Sequence, residues 1–222
     1  MLAIFDNDGT ICDTQNAETG CFVRAIKEAT GKTLEVIDWT KYEEATGAAI
    51  VRGLLAGDPA AKEKEEHMVR AYVGYLQEVQ PKFPGDFQPL PGAVEFISRL
   101  KQEGICSVAI ASGGFEAEAR FKLGCCGIWL DDFPHATSSD TPRRRDIVRL
   151  AATRAGFDLS SAVFFGDGQW DVQTTGILGI PMIGIGRKEE LLRTLGVRHR
   201  FRDFTNPDAI LEVMRSLFPR RL

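Results

Sequence analysis

Asp6 and Asp8 stand two residues apart in the string Asp6-Asn7-Asp8-Gly9-Thr10, directly after the apolar run Met1-Leu2-Ala3-Ile4-Phe5. Side chains two apart on an extended chain share a face, so both carboxylates leave the C-terminal end of a buried strand together. That arrangement suits phosphoryl transfer. A carboxylate becomes a useful nucleophile beside a divalent cation, and a second one can protonate a leaving oxygen. Gly9 lets the chain turn away without placing a side chain in the site.

Three more groups follow, each where a strand should end. Val108-Ala109-Ile110-Ala111 runs into Ser112-Gly113-Gly114-Phe115, a hydroxyl and several amides able to hold phosphate oxygens. Taken alone, it is an ordinary turn signal. Thr141-Pro142-Arg143-Arg144-Arg145-Asp146 opens a helix with three cations, which oppose the helix dipole and so ask for a functional reason. An arginine there can grip a carboxylate or phosphate in a fork. Spacing from Ile147 favours Arg144, then Arg143, with the others as solvated surface. Ala162-Val163-Phe164-Phe165 leads into Gly166-Asp167-Gly168-Gln169-Trp170-Asp171. Asp167 at the strand end and Asp171 in the first helical turn point to one locus that can hold a hard cation such as Mg²⁺.

The elements that must position these groups alternate. Leu2 to Asp6, Cys106 to Ala111, Ala162 to Gly166 and Pro181 to Ile185 read as buried parallel strands. Residues 92–102, 143–155 and 207–217 read as helices, the last capped by Asn206. The alternation predicts an α/β fold, a doubly wound Rossmann-like parallel sheet whose ligands bind outside the strands' carboxyl ends. Residues 13–90 interrupt it with apolar residues at helical spacing, among them Phe22, Val23, Ile26, Ile50, Val51, Met68, Tyr72 and Leu76. We expect a small helical domain there, with a proline- and glycine-rich return at 81–92, inserted into a core of residues 1–12 and 91–222.

In order and spacing, the four groups resemble the motifs of the haloacid dehalogenase superfamily of aspartate-nucleophile phosphohydrolases. Asp6-Asn7-Asp8-Gly9-Thr10 is similar to its DxDxT signature, Ser112 to its second motif, and the Gly166 to Asp171 string to the GDxxxD form of its fourth. At the third, where the superfamily usually places lysine, this chain has Arg144. Ser112-Gly113-Gly114-Phe115 is close to the corresponding string of phosphoserine phosphatases. An insertion just after the first motif matches the helical cap of relatives resembling phosphoglycolate phosphatase and β-phosphoglucomutase.

The resemblance implies a Mg²⁺-dependent hydrolase of a small phosphorylated metabolite, working through an aspartyl phosphate on Asp6. Asp8 would serve as acid and then base, while Ser112 and Arg144 stabilise the phosphoryl oxygens. The metal would be held by Asp6, the Asp8 carbonyl, Asp167 and Asp171. Gly113 and Thr10 would shape the phosphate site. Arg52, with Arg24 and Tyr42, is a candidate substrate contact from the insertion, as are Gln15, Glu18 and the loop Thr46-Gly47-Ala48-Ala49. A sugar-phosphate mutase uses the same core and stays open. A receiver-type domain would be shorter and lack the insertion, and a non-catalytic phosphoryl-binding descendant is disfavoured because every chemical position is filled. A dehalogenase proper needs neither metal nor Asp8, and a phosphonate hydrolase carries a small residue in its place.

Composition narrows the field further. At 222 residues, 26% charged, 44% hydrophobic and net charge -4, the chain has the make-up of an ordinary soluble globular protein and no basic field for nucleic acid. The short basic tip Arg220-Arg221 reads as solvated. No stretch approaches the roughly 20 apolar residues that span a bilayer, and no basic region followed by an apolar segment opens the chain. We expect a cytoplasmic protein. Five cysteines without C-x-x-C spacing read as free thiols, and Cys12 has no histidine near it in sequence to activate it. Gly9 stands too early for a calcium-binding EF-hand loop, and Gly184-Ile185-Gly186 lacks the third glycine of a dinucleotide fingerprint. The histidines 67, 135 and 199 are too scattered for a metal site.

Overall fold

Strand β1 (Leu2–Phe5) is buried at every position and occupies the middle of a six-stranded sheet ordered β5-β4-β1-β6-β7-β8. Its neighbours are β4 (Ser107–Ser112) and β6 (Ala162–Gly166), both parallel to it, with Phe5 level with Ile110 on one side and Phe165 on the other. Strands β5 (His135–Thr137), β7 (Met182–Ile185) and β8 (His199–Phe201) complete the parallel sheet. The structure is a computed structural model, and it describes residues 1–14, 18–34, 42–83 and 85–218. Gln15 and the basic tip lie outside the described residues.

The chain leaves β1 toward β4 and β5, then returns to β6 on the other side. The direction of winding therefore reverses at β1, and a crevice opens outside its carboxyl end. Helices α4 (Ala93–Gln102), α5 (Glu116–Cys125), α6 (Arg144–Arg154), α7 (Gln169–Leu178) and α8 (Glu189–Thr194) join the strands, and α9 (Pro207–Leu217) follows the last of them. The Asn206 side chain accepts from the Ala209 N–H, as an N-cap should. One apolar layer gathers Phe5, Phe96, Phe165 and Phe204, with Phe5 and Phe165 stacked at 4.4 Å. The other packs Leu2, Ile4, Ala109 and Phe164 against Ile147, Val148 and Ala151 of α6. An α/β doubly wound fold is what the alternating pattern predicts.

Helices α1 (Glu18–Thr30), α2 (Gly47–Leu54) and α3 (Ala61–Val79) share a third cluster built on Phe22, Ile26, Ile50, Val51, Met68, Tyr72 and Leu76. Phe22 meets Tyr72 edge-on at 5.3 Å. The chain enters this region through β2 (Cys12–Asp13) and leaves through β3 (Gln88–Pro89), and the two passages pair antiparallel. The return is thus more than a proline-rich linker. Phe87 is fully buried and holds φ 60°, a left-handed conformation rare for a bulky residue, and donates its N–H to Asp13 O. The sequence reading overlooked β5 and β8, three-residue strands at the two edges of the sheet.

Candidate active site

Asp6 leaves the end of β1, Asp167 the end of β6, and Asp171 the first turn of α7. All three are buried, and a carboxylate oxygen from each lies within 4.8 Å of the others. Gly9 makes this closeness possible. It holds φ +77°, and a Cβ there would collide with the Asp167 carboxylate. Asp171 is fixed from behind, its Oδ2 accepting the N–H groups of Asp167 (3.1 Å) and Gly168 (3.0 Å). Burial first, and then the charge of Asp171, push the Asp6 carboxyl well above the usual carboxylate range, against the pull of Arg144. Asp167 is raised by burial to about 6, although Lys188 Nζ, 2.7 Å from its Oδ2, pulls the other way. The trio therefore carries surplus negative charge, and its donors are all oxygen. Both properties fit a hard divalent cation.

Arg144 stands at the first turn of α6, as spacing from Ile147 suggests. Its Nη1 is 2.5 Å from Asp171 Oδ1 and 3.8 Å from Asp6 Oδ1. Its Nε is buried without a hydrogen-bond partner. Gly113 makes room, since a Cβ there would stand 2.5 Å from Arg144 Nη2. Arg143 is exposed. Glu44 Oε2 accepts the Arg144 N–H, and the Thr46 hydroxyl donates to Pro142 O, tying the segment before α2 to the start of α6.

Asp8 looks toward the helical region. Its Oδ1 accepts from Lys122 Nζ at 2.8 Å and from the Thr14 hydroxyl at 2.9 Å. Lys122, on α5, is wholly buried and also meets Glu18 Oε1 at 2.8 Å and Glu118 Oε1 at 2.5 Å. The Tyr72 hydroxyl lies 3.2 Å from Glu18 Oε1 and 3.3 Å from Glu118 Oε1. Burial works against the Lys122 ammonium, but Asp8, Glu118 and Glu18 outweigh it and hold its pKa well above the ordinary value. Burial raises Glu18 to about 8 against the pull of Lys122. Asp8, Glu18 and Glu118 can be read as a second metal cluster, yet the ammonium occupies its centre.

One cavity of about 350 Å³ joins the two groups. Asp6, Asp8, Arg144, Asp167, Asp171 and Gly113 line one part, and Glu18, Glu118, Tyr72, Phe22 and Gly47 another. The Ser112 hydroxyl is buried and accepts the N–H of Gly114, while Gly113 and Gly114 face the cavity. Thr10 is buried with its hydroxyl unpaired and does not bond to Asp6. Gly47 of the candidate contact loop donates its N–H to Gly113 O. Arg52 lies away from the cavity, its guanidinium held by Glu65 on α3 at 2.9 Å. Arg24 stacks over Tyr75, and Tyr42 packs into the helical cluster. Cys12 is buried, its thiol pushed far up by a hydrogen bond with Cys126 and by burial, the reverse of a nucleophile's environment.

The family model of haloacid dehalogenase-like hydrolases matches residues 1–175. The chain belongs to this family. The hydrolase is 27% identical over 190 residues to a probable phosphatase, IndB, of Dickeya dadantii (83% of this chain, 80% of that one). It is 24% identical over 188 residues to a phosphoglycolate phosphatase of Mesorhizobium japonicum (83% and 82%). Among solved structures, a Pseudomonas syringae hydrolase superposes with TM-score 0.73 at 20% identity, covering 95% of this chain and 97% of that one. Rhodobacter sphaeroides CbbY in complex with phosphate gives 0.71 at 18% identity, covering 92% and 95%. Family and relatives together mark the chain as a phosphatase-type enzyme. No described helix is long and apolar enough to cross a membrane.

Several site residues of the hydrolase escaped the sequence reading: Glu118, Tyr72 and Lys188 on the cavity, with Lys122 and Thr14 behind Asp8. Glu118 and Lys122 stand four apart on a helix, the usual look of a solvated pair, while Tyr72 falls on the apolar stripe of α3. One signal was available. Lys188 follows a predicted strand end, where an α/β sheet gathers its ligands.

Proposed function

We propose that this protein is a Mg²⁺-dependent phosphomonoester hydrolase acting on a small phosphorylated metabolite through an aspartyl phosphate formed on Asp6. The convergence of Asp6, Asp8, Arg144, Asp167 and Asp171 on one cavity carries the reading. Asp6, Asp167, Asp171 and the Asp8 carbonyl would hold the cation. Bound there, it supplies the positive charge that keeps Asp6 ionised and offsets the phosphate oxygens.

Asp6 attacks phosphorus in line, forming an acyl phosphate as the ester P–O bond breaks. Arg144 draws the phosphoryl oxygens into place through its charge, and the glycine turn at 113–114 leaves room for them. Asp8 supplies the proton that the departing alkoxide takes. Lys122 and Thr14 both donate to Oδ1, and Asn7 Nδ2 reaches Oδ2 only at 3.4 Å, so Oδ2 is the oxygen assigned that proton. The same oxygen then takes a proton from water as the resulting hydroxide attacks phosphorus, which releases inorganic phosphate and restores Asp6. The helices of 13–90 act as a cap over the core of 1–12 and 91–222, closing on substrate and excluding water. The five free thiols fit a reducing, cytoplasmic compartment.

Purified protein with Mg²⁺ should release phosphate from p-nitrophenyl phosphate, and the activity should vanish with EDTA and in Asp6→Asn. No turnover across a panel of phosphate monoesters, or full activity in Asp6→Asn, would overturn the reading.

A further inference from the structure

Arg144 is held at both ends. At its tip, Nη1 lies 2.5 Å from Asp171 Oδ1. At its root, the N–H belongs to the first turn of α6, where no helical carbonyl is available to accept it, and the Arg143 side chain at the N-cap position makes no bond there. Glu44 Oε2 accepts this N–H at 3.1 Å, from a residue 100 positions earlier in the chain. The same carboxylate offsets the three arginines at 143–145, and an anion suits a helix N-terminus. Helix α6 is thus capped by a residue of the insertion. The Thr46 hydroxyl makes a second tie. It accepts the Ala49 N–H at 3.2 Å as the N-cap of α2 and donates to Pro142 O at 2.7 Å, so one group joins the start of α2 to the segment that opens α6. Gly47 donates its N–H to Gly113 O at 2.9 Å, and a Cβ on Gly47 would stand 2.8 Å from the Phe115 ring, which leaves room there for glycine alone. The Ser138 hydroxyl accepts from Ala48 N–H at 3.4 Å and donates to Gly114 O at 2.8 Å. Residues 44–48 therefore rest on both core segments that the phosphatase reading gives to the phosphoryl oxygens, 113–114 and 142–144. Ala45 and Gly47 line the cavity, whereas Glu44 and Thr46 turn to the core.

We propose that Glu44 and Thr46 are positioning residues for phosphoryl transfer: they fix the start of α6, and through it the Arg144 guanidinium, so that the grip on phosphate is complete only while segment 44–48 rests on the core. This rests on the phosphomonoesterase reading and adds to it a link between the insertion and phosphate affinity. When the segment lifts, α6 loses its cap, its first turn loosens and Arg144 is held by Asp171 alone. Opening the cavity then weakens the hold on product phosphate. By reciprocity, bound phosphate draws the segment down by the same factor.

The test reads phosphate affinity, which needs no turnover, by calorimetric titration of the Mg²⁺-loaded protein with inorganic phosphate, beside kcat and KM for p-nitrophenyl phosphate. Glu44→Ala should weaken phosphate binding by roughly tenfold, the scale of one lost helix cap, and lower kcat/KM by at least as much, because Arg144 also faces the transition state. Glu44→Gln keeps an acceptor of the same reach and should stay within about threefold of wild type. Thr46→Val should weaken binding in the same direction and Thr46→Ser should restore it, which keeps the proposal testable if Glu44→Ala does not fold. In an Arg144→Ala background, Glu44→Ala should still lower the melting temperature but change phosphate affinity by less than about twofold, since the group it acts through is gone. Phosphate affinity in Glu44→Ala within about twofold of wild type, or an equal loss with and without the Arg144 side chain, would overturn the proposal and leave Glu44 a structural cap. If the wild type binds phosphate but hydrolyses no ester, the phosphatase reading falls and the same comparison still decides the role of Glu44. If it binds no phosphate, both fall.

Discussion

Lys122 Nζ lies 2.8 Å from Asp8 Oδ1 with its side chain wholly out of solvent, so the carboxylate assigned as acid and base is paired from behind by a buried ammonium. Removing one partner of a buried pair leaves the others uncompensated, and that costs roughly 3–5 kcal/mol. Lys122→Met should lower the unfolding free energy by about that amount, read by urea denaturation. The double variant Lys122→Met with Glu118→Gln removes one stranded charge and should recover part of the loss. Equal stability of Lys122→Met and wild type would mean that the pair is not desolvated as described.

The role of Asp8 as the acid for the leaving oxygen makes the consequence of Asp8→Asn depend on the leaving group. Alkoxides need protonation and nitrophenolate does not. Asp8→Asn should therefore cost about 10²–10⁴ in kcat on alkyl phosphates and markedly less in the first half-reaction on p-nitrophenyl phosphate, read as the burst of nitrophenolate. An equal loss in both would assign Asp8 a structural role.

How far the site could be read from residues alone depended on whether the signal was local. β1 with its two aspartates, Ser112, and Asp167 with Asp171 are each a short apolar run ending in chemistry-bearing residues, and the sheet order puts those ends side by side. Arg144 was separable from Arg143 because helical spacing ties it to the buried Ile147. Glu118 and Lys122 gave no such signal. What turns them from a solvated helix pair into a buried cluster is the arrival of Glu18 from α1 and Tyr72 from α3, contacts spanning 104 and 46 residues respectively. The strands β5 and β8 were missed for a related reason, since three residues are too few to show periodicity and only their neighbours hold them extended. Arg52 misled because a cation on the insertion resembles a substrate grip, whereas Glu65, one helix away, holds it.

Stability should depend on pH and metal in opposite senses. Asp6, Asp167 and Glu18 have folded-state pKa values above those of the unfolded chain, with Asp167 near 6 and Glu18 near 8. Above about pH 4.5 the unfolded chain has released these protons, while the folded one holds that of Asp167 to about pH 6 and that of Glu18 to about pH 8, so the folded state binds more protons and loses stability as pH rises across this range. Metal-free protein should thus melt at a higher temperature at pH 5 than at pH 8. Mg²⁺ needs the carboxylates ionised, so its stabilising increment should be larger at pH 8. Thermal melts in EDTA and in Mg²⁺ at both pH values check this, and a metal-free melting temperature that rises from pH 5 to pH 8 would contradict it.

Lys188 is the cation of the site that a metal would have to contend with. Its Nζ lies 2.7 Å from Asp167 Oδ2, on a side chain 56% exposed, so the ammonium covers one of the oxygens assigned to Mg²⁺ and solvent screens the pair only in part. Loading the site requires Lys188 to move off Asp167 or to share it, and either weakens the cation's hold. Lys188→Ala removes the competitor without touching a ligand. It should tighten Mg²⁺ binding by roughly two- to fivefold, the scale of a half-exposed ion pair, with the gain shrinking as ionic strength rises. Trp170 lines the same cavity, so titration of its fluorescence, or calorimetry, reads the change without turnover. Weaker Mg²⁺ binding in Lys188→Ala would reverse the assignment and make Lys188 a residue that holds Asp167 in position for the metal.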